Sequence, residues 1–253
     1  MIHDPSALAR AFTSACLLTL ASLASAHQPL ITDDTGTQGS GGNQLEFSYN
    51  HDREEQAGAK TRTRTVPLVF TRGLGDTLDF FVQANEGGSG NPSFGLKWRF
   101  HESEDGQTSL GVKPEVRHPL NPRGEPSPAE ERKTYGLTAI LTQAVAFGAI
   151  HANLYFGQDR FRDPINFPRI NKTRLSVAPV WDVNESLKLA LDLGIEHTTS
   201  AGARIDSELA ELGLIYAPDK DLDIAAGIVR TVTGQHPHTT ITAATIGLTW
   251  RFR

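Results

Sequence analysis

The run from Asp33 to Gln38 is rich in groups that could bind an ion. It offers side-chain oxygens at Asp33, Asp34, Thr35, Thr37 and Gln38, and a hard cation such as calcium takes about six to eight oxygen ligands. The run lacks the closing glutamate of a calcium-binding helix–loop–helix, and Gly36 within it favours a turn. We therefore predict no metal and no cofactor here, and expect the run to be a gate or plug element, or only a tether.

A hydrolytic site could be built from His151, Ser176 and Asp192, which are a base, a nucleophile and an orienting acid. Such a triad is recognised by geometry and not by chain position. No G-x-S-x-G motif surrounds Ser176, so the local signal for a nucleophile is missing. A lipid hydrolase is therefore the third-ranked function, and we predict that the protein is not an enzyme. His236 and His238 offer too few ligands for a metal site.

Composition limits the fold and the compartment. The chain has 253 residues, a net charge of −5, and 38% hydrophobic residues. This charge does not favour nucleic acid. Residues 1–26 combine Arg10, an apolar run containing the single cysteine, Cys16, and an A-x-A-like end. They are typical of a signal peptide, so we expect an exported chain without disulfides. We expect this exported chain to have an N-terminal segment at 27–42, followed by one folded domain at 43–253.

Alternation of apolar and polar residues is the main structural signal after residue 42. In 187–196 every odd position is leucine or isoleucine, and in 94–101 and 244–252 bulky apolar residues likewise occupy one face. Period-two alternation predicts strands. The remaining predicted strands are 43–51, 64–72, 77–85, 110–117, 134–144, 147–158, 170–181, 205–217 and 222–232.

The composition of the two faces favours a membrane barrel over a soluble sandwich. Glycine, alanine and charged residues share one face, as in a crowded polar lumen, whereas large apolar residues take the other. Tryptophan and other aromatic residues recur at equivalent strand ends, as in an interfacial girdle. These residues are Trp98, Phe100, Trp181, Tyr216, Trp250 and Phe252. Closure is also needed, because lipid does not tolerate open sheet edges.

The predicted links alternate in length along the chain. Short turns are expected near 73–76, 102–107, 145–146, 182–186 and 218–221. Longer links are expected near 52–63, 86–93, 118–133, 159–169, 198–204 and 233–239. Short periplasmic turns and longer extracellular loops are typical of outer-membrane barrels. We therefore predict an all-β fold, a closed antiparallel transmembrane β-barrel of about 12 strands, in the bacterial outer membrane.

The inward face of this barrel would carry many charges. The predicted lumen-lining residues are Lys97, Arg99, Lys113, Glu115, Arg117, Arg174, Lys188, Asp192, Glu196, Glu211 and Arg251, with Glu46 and Asp79 in addition. Counting from the turn at 182–186 places Arg174 diagonal to Asp192. Such charges either brace the barrel in pairs or line a path for small solutes, with the lysines favouring anions.

Arginines in the predicted outer loops form another candidate surface. Arg117, Arg123, Arg132, Arg160, Arg162 and Arg169 could bind lipopolysaccharide phosphates or could be ordinary solvated charges. Outer-membrane lipid and lipopolysaccharide are thus predicted partners.

The stretch "HQPLITDDTGTQGSGGNQLEFSY", residues 27–49, resembles the opening of a bacterial outer-membrane transporter family named for the meta-pathway of phenol degradation. The resemblance implies a barrel that takes up small, often aromatic, compounds. The end "TIGLTWRF" resembles the terminal signal read by the barrel-assembly machinery, although Arg253 follows the aromatic residue that usually ends it. Passive passage of small solutes is therefore the predicted function. A structural or ligand-sensing barrel with a closed lumen is the alternative.

Overall fold

We describe the protein from a computed structural model, which covers residues 29–86, 92–118, 132–165, 168–234 and 239–253. The predicted signal peptide, Arg123, His236 and His238 lie outside these ranges. None of the described residues forms a helix long and apolar enough to cross a membrane.

Twelve antiparallel strands close into one barrel, as predicted. The strands are β1 (Asn43–Gln56), β2 (Ala59–Gly73), β3 (Leu78–Glu86), β4 (Ser93–Glu102), β5 (Thr108–Arg117), β6 (Arg132–Val145), β7 (Gly148–Phe161), β8 (Ile170–Asn184), β9 (Leu187–Ser200), β10 (Ala203–Asp219), β11 (Leu222–Thr233) and β12 (Thr239–Phe252). Each strand pairs with its sequence neighbours, and β1 closes the barrel against β12, with Asn43 opposite Phe252. Both ends of the barrel sequence therefore meet at one rim, called here the terminal rim; the opposite end is the loop rim.

The alternation in the sequence separates the two faces of the wall. On β9, Leu193 and Ile195 are exposed on the exterior, whereas Ala190 and Asp192 are fully buried inside. The same arrangement, with polar groups inside and apolar groups outside, holds around the barrel. The buried side chains are mostly polar, and the exposed side chains include 32 large hydrophobic ones. An apolar exterior around a polar interior is the arrangement expected of a barrel in lipid.

Two predicted long links are wrong. The stretches 52–63 and 198–204 are instead strand extensions joined by two-residue hairpins at 57–58 and 201–202. Both turns have positive φ at both positions: 50° and 83° at Ala57 and Gly58, and 49° and 84° at Ala201 and Gly202. Hairpin turns of this kind usually begin with asparagine, aspartate or glycine, so the Ala-Gly pairs gave no turn signal.

The predicted aromatic residues lie outside the barrel near the terminal rim. Trp98 and Phe100 contact edge to face with centroids 5.8 Å apart, and Trp250 stacks on Phe252 at 4.5 Å. Trp181 stacks on Phe147 at 5.7 Å. About half of the Trp98 and Trp250 surfaces remain exposed, although each ring contacts an aromatic neighbour. These rings surround one edge of the apolar exterior.

Candidate functional site: a polar segment inside the barrel

Residues 29–42 enter the barrel and cross its interior, and we call them the lumenal segment. At the terminal rim, backbone hydrogen bonds join Gly41 and Gly42 to Gly73 at 3.2 and 2.9 Å. A Cβ at Gly73 would lie 1.7 Å from the Gly39 carbonyl oxygen, so only glycine permits this approach. From this attachment the segment passes polar groups of strands β3 to β9 and ends against β10 and β11.

Two lysines hold the acidic part of the segment. The Lys97 ammonium contacts one carboxylate oxygen each of Asp33 and Asp34 at 3.0 Å, and Lys113 contacts the other oxygen of Asp33 at 2.7 Å. Burial by itself would raise the pKa of the Asp33 carboxyl, but Lys113 and Lys97 outweigh it and hold that pKa below its usual range. Asp33 is thus ionised at neutral pH, and the cluster is a charge-assisted clamp.

Thr32 joins the segment to the opposite wall. Its backbone N–H and hydroxyl both donate to the Asp192 carboxylate, at 2.6 and 2.7 Å, and its hydroxyl lies 2.7 Å from the Ser176 hydroxyl. Asp192 is fully buried and Thr32 nearly so. Because a buried carboxylate without donors is costly, this contact favours the seated segment over a released one.

The candidate hydrolytic residues have other roles in this arrangement. Ser176 and Asp192 both bind Thr32, and the His151 Nδ1 lies 3.0 Å from the Thr142 hydroxyl. Across β7 and β8, His151 faces Ala178, while Ser176 faces Asn153. These contacts give Ser176 and Asp192 a structural role in seating the segment, and they provide no support for the hydrolase hypothesis.

Further polar contacts fix the remaining segment residues. The Thr35 N–H donates to the Thr142 hydroxyl at 3.1 Å, and the hydroxyl of Thr35 bonds that of Ser109. The Gly36 N–H donates to Asp34 at 2.7 Å, which forms a local turn. Each oxygen of the Asp79 carboxylate accepts from the Gln38 N–H at 3.1 Å. Thr37 donates to the Asp76 carbonyl at 2.8 Å, at the terminal rim.

The Asn153 side chain forms hydrogen bonds with the backbone of the lumenal segment. With its amide oriented so that both atoms are satisfied, the nitrogen donates to the Asp33 carbonyl at 2.9 Å and the oxygen accepts from the Asp33 N–H at 2.6 Å. The segment therefore gains strand-like backbone pairing from a single side chain.

A pair of glycines makes room for the N-terminal end of the segment. Gly213 and Gly227 face each other across β10 and β11, and Pro29 packs over them. A Cβ at Gly227 would lie 2.4 Å from the Pro29 Cγ, closer than unbonded carbon atoms can approach.

We expect Gly227→Ala to loosen the lumenal segment while leaving the barrel folded, because the new methyl group occupies the Pro29 position. Hydrogen exchange of the backbone amides in 30–36 should accelerate by roughly tenfold, which corresponds to about 1.4 kcal/mol of lost seating energy. Gly75→Ala is the matched control, since nothing lies within 4 Å of its Cβ. Unchanged exchange in Gly227→Ala would mean that Pro29 does not contribute to seating.

All eleven predicted lumen-lining residues of the wall face inward, but some partners differ from those expected. Arg174 lies opposite Glu196, with 3.6 Å between guanidinium and carboxylate, so its predicted diagonal contact with Asp192 is wrong. The β8–β9 turn begins later than assumed, at Glu185, and this changes the register. Near the terminal rim, Arg251 forms an ion pair with Asp223, and Lys188 contacts Asp182 at 3.4 Å.

Not every loop arginine reaches the exterior. Arg117 points into the barrel, and Arg132 faces Asp159 inside the loop rim at 3.6 Å. These two side chains are thus directed to the inner side of the wall, and lipopolysaccharide binding by the loop arginines stays a prediction. Arg160 lies on the exterior above the Tyr135 ring, with 5.4 Å from the guanidinium carbon to the ring centre, which is a cation–π contact.

A cavity of about 290 Å³ remains between the segment and the β1–β5 wall. Its lining includes Asp33, Lys97, Lys113, Glu46 and the Phe81 ring. Lys113 lies 4.8 Å from the centre of that ring. With Asp79 also in its lining, the cavity combines two cations, three carboxylates and one aromatic face.

Several residues of this site carried no signal in the sequence. Phe81 occupies an inward position that alternation leaves to polar residues, and Asn153, Ser109 and Thr142 resemble any polar lumen residue. One indication was available in the sequence: an acidic run at Asp33 and Asp34, together with two lysines, Lys97 and Lys113, that alternation had already placed on the inward face.

Comparisons with known proteins match the fold. No protein-family model and no curated sequence matches the chain. The COG4313 outer membrane channel from Pseudomonas putida F1 superposes with a TM-score of 0.63 at 12% identity, covering 87% of this chain and 98% of its own. The NanC porin gives 0.55 at 9% identity, covering 81% and 98%. The KdgM porin, solved with disordered oligogalacturonate, gives 0.52 at 9% identity, covering 82% and 99%.

The chain therefore has the fold of outer-membrane channels and porins. Its membership of the phenol meta-pathway family, which residues 27–49 suggest, stays a prediction.

Proposed function

We propose that this protein is an outer-membrane channel for passive passage of small solutes, gated by its lumenal segment. The observation that carries this proposal is a polar lumen crossed by a segment that is attached to the wall only at the terminal rim and is held inside the lumen by side-chain contacts. An element seated in this way can leave and return. The apolar exterior, the aromatic rings at the terminal rim and the channel fold support a position in the outer membrane.

Anionic solutes fit the lumen best. Lys97 and Lys113 already bind a carboxylate, that of Asp33, so a solute carboxylate could take its place once the segment moves. The Phe81 ring beside Lys113 suits a flat apolar group on the same solute. Small aromatic acids combine both features, and the resemblance of residues 27–49 to the phenol-pathway family points in the same direction.

The second candidate is a ligand-sensing barrel whose lumen stays closed. The observation favouring it is the number of buried polar contacts around Thr32 and Asp33, which would resist spontaneous opening. In that case a bound solute would change the position of the segment without passing through.

Solute flux separates these functions. Proteoliposomes of the chain from His27 onward should swell in benzoate faster than in a neutral sugar of similar size, and vesicles with heat-denatured protein should not. If neither solute enters, with or without residues 27–42, the channel function fails. If solute binds but does not enter, the sensing barrel is favoured.

Membrane insertion has its own prediction. Leu193 is 48% exposed within the apolar exterior of β9, so Leu193→Arg should destabilise the barrel in lipid vesicles by about 2–4 kcal/mol. Thr199→Arg, on the same face near the loop rim, should cost at most about 1 kcal/mol. Guanidinium unfolding of the vesicle-bound protein measures both, and equal effects would contradict a membrane-spanning wall.

A further inference from the structure

A basic groove lies on the exterior of the barrel near the loop rim. It has a volume of about 500 Å³, and its lining includes His51, Arg53, Glu55, Arg62 and Arg230. These side chains share the outward face of β1, β2 and β11. The groove is therefore separate from the lumenal site, and the channel proposal assigns it no role.

The sheet register brings the cations of this groove close together. Arg53 faces Arg62 across β1 and β2, while Thr242 of β12 lies between Arg53 and Arg230. Neighbouring strands are about 4.8 Å apart, so three guanidinium groups emerge within about 15 Å of wall. Like charges placed directly opposite each other destabilise a sheet unless an anion lies between them.

The protein itself supplies little countercharge here. Glu55 forms an ion pair with Arg53 and lies 3.6 Å from Lys60. Within the described part of the chain, Arg62, Arg64 and Arg230 form no ion pair with a carboxylate. The groove thus holds an excess of positive charge that is open to an external anion.

The height of the groove on the wall identifies the kind of anion. Tyr49, Ile228 and Ile246, exposed on the same exterior, lie directly below it, and Val232 is the one exposed large apolar residue of β1, β2, β11 and β12 described above them. Arg230 follows Ile228 by two residues and His51 follows Tyr49 by two, a rise of about 7 Å along each strand. The cations therefore lie where the apolar belt ends and headgroups begin.

We propose that this groove is a binding site for the phosphates of an outer-leaflet lipid, the phosphorylated glycolipid of the lipopolysaccharide. Arg62 and Arg230 bind its phosphates, and its acyl chains lie along Ile228 and Ile246. Arginine suits this role because its planar fork pairs with two phosphate oxygens. The inference rests on the membrane position proposed above, with the loop rim outermost.

The test is a binding titration followed by native mass spectrometry in detergent. The probes are lipid A with its phosphates and lipid A from which they have been removed, both with a chelator so that divalent ions cannot bridge. We expect the phosphorylated form alone to bind tightly. Arg62→Gln with Arg230→Gln should weaken it by roughly tenfold for each arginine removed.

Two further variants make the result specific. Arg72→Gln with Lys220→Gln removes the same charge from exposed positions at the terminal rim, far from the groove, and should change binding by no more than about twofold. Arg62→Lys with Arg230→Lys keeps the charge but loses the fork, so its affinity should lie between the native and glutamine forms.

Several outcomes would overturn the site. The first is equal binding of both lipid A forms, and the second is equal weakening of binding by the control pair. The third is that inorganic phosphate displaces lipid A completely, so that the lipid part adds nothing to the affinity. Vesicle insertion is measured on the same variants: a protein that inserts but ignores lipid A contradicts this site alone, whereas failure to insert contradicts the membrane position.

Discussion

Removal of residues 27–42 is expected to raise the single-channel conductance of the protein in planar bilayers several-fold. The lumenal segment crosses the interior between the Lys97 side and the Asp192 side, so its removal opens the path that it occupies. The barrel should survive, because β1 begins at Asn43 and every strand pair lies outside the deleted stretch. Conductance steps in potassium chloride measure the effect.

A point variant distinguishes an opened gate from a damaged barrel. Thr32→Ala removes the hydroxyl that binds Asp192 and Ser176 but leaves the segment present. It should produce brief openings to the level of the deletion variant, since loss of a hydrogen bond to a buried charge costs about 1.5–3 kcal/mol. Equal steps from the native and deleted chains would show that the segment is a tether and not a gate.

Replacing both Lys97 and Lys113 with glutamine is expected to release the segment and to reverse the charge preference of the lumen. Breaking a buried ion pair from one side costs about 3–5 kcal/mol, because Asp33 and Asp34 are left without a cation. The lining of the cavity then keeps the carboxylates of Glu46 and Asp79 and no cation. Cations should pass more readily than anions.

Reversal potentials in a potassium chloride gradient measure the charge preference, and hydrogen exchange of the backbone amides in 30–36 measures release of the segment. The matched control is Lys172→Gln with Lys188→Gln, which removes the same charge at the loop and terminal rims, where the partners are Asp159 and Asp182. The control should keep the segment seated. If both double variants shift the preference equally, selectivity follows total lumen charge and the Lys97–Lys113 pair has no special part in it.

The wall of the barrel follows directly from the sequence. Side chains alternate between the faces of a strand, so the leucines of 187–196 and the charges between them had to face opposite sides. Bulky apolar groups beside an inner face of glycine, alanine and charges indicated which side meets lipid. These arguments are local, and the strand number, closure and inward charges followed from them.

The partners of those charges depended on tertiary structure. Register is set by the turns, and an Ala-Gly hairpin or a turn that begins later than expected changes every pair of the strands that it joins. Arg174 therefore meets Glu196, and the strands reach Gln56 and Ser200 instead of ending in loops. The lumenal segment is a further case, since Asp33 meets lysines 64 and 80 residues away.

The sequence by itself determined a polar, acidic segment before a barrel with cations inside. Only closure of the barrel brought β4, β5, β8 and β9 around one space, where Lys97, Lys113 and Asp192 could bind that segment from opposite sides. The physical reason is that alternation encodes which way a side chain points, whereas the partner that it meets depends on where the chain returns in three dimensions.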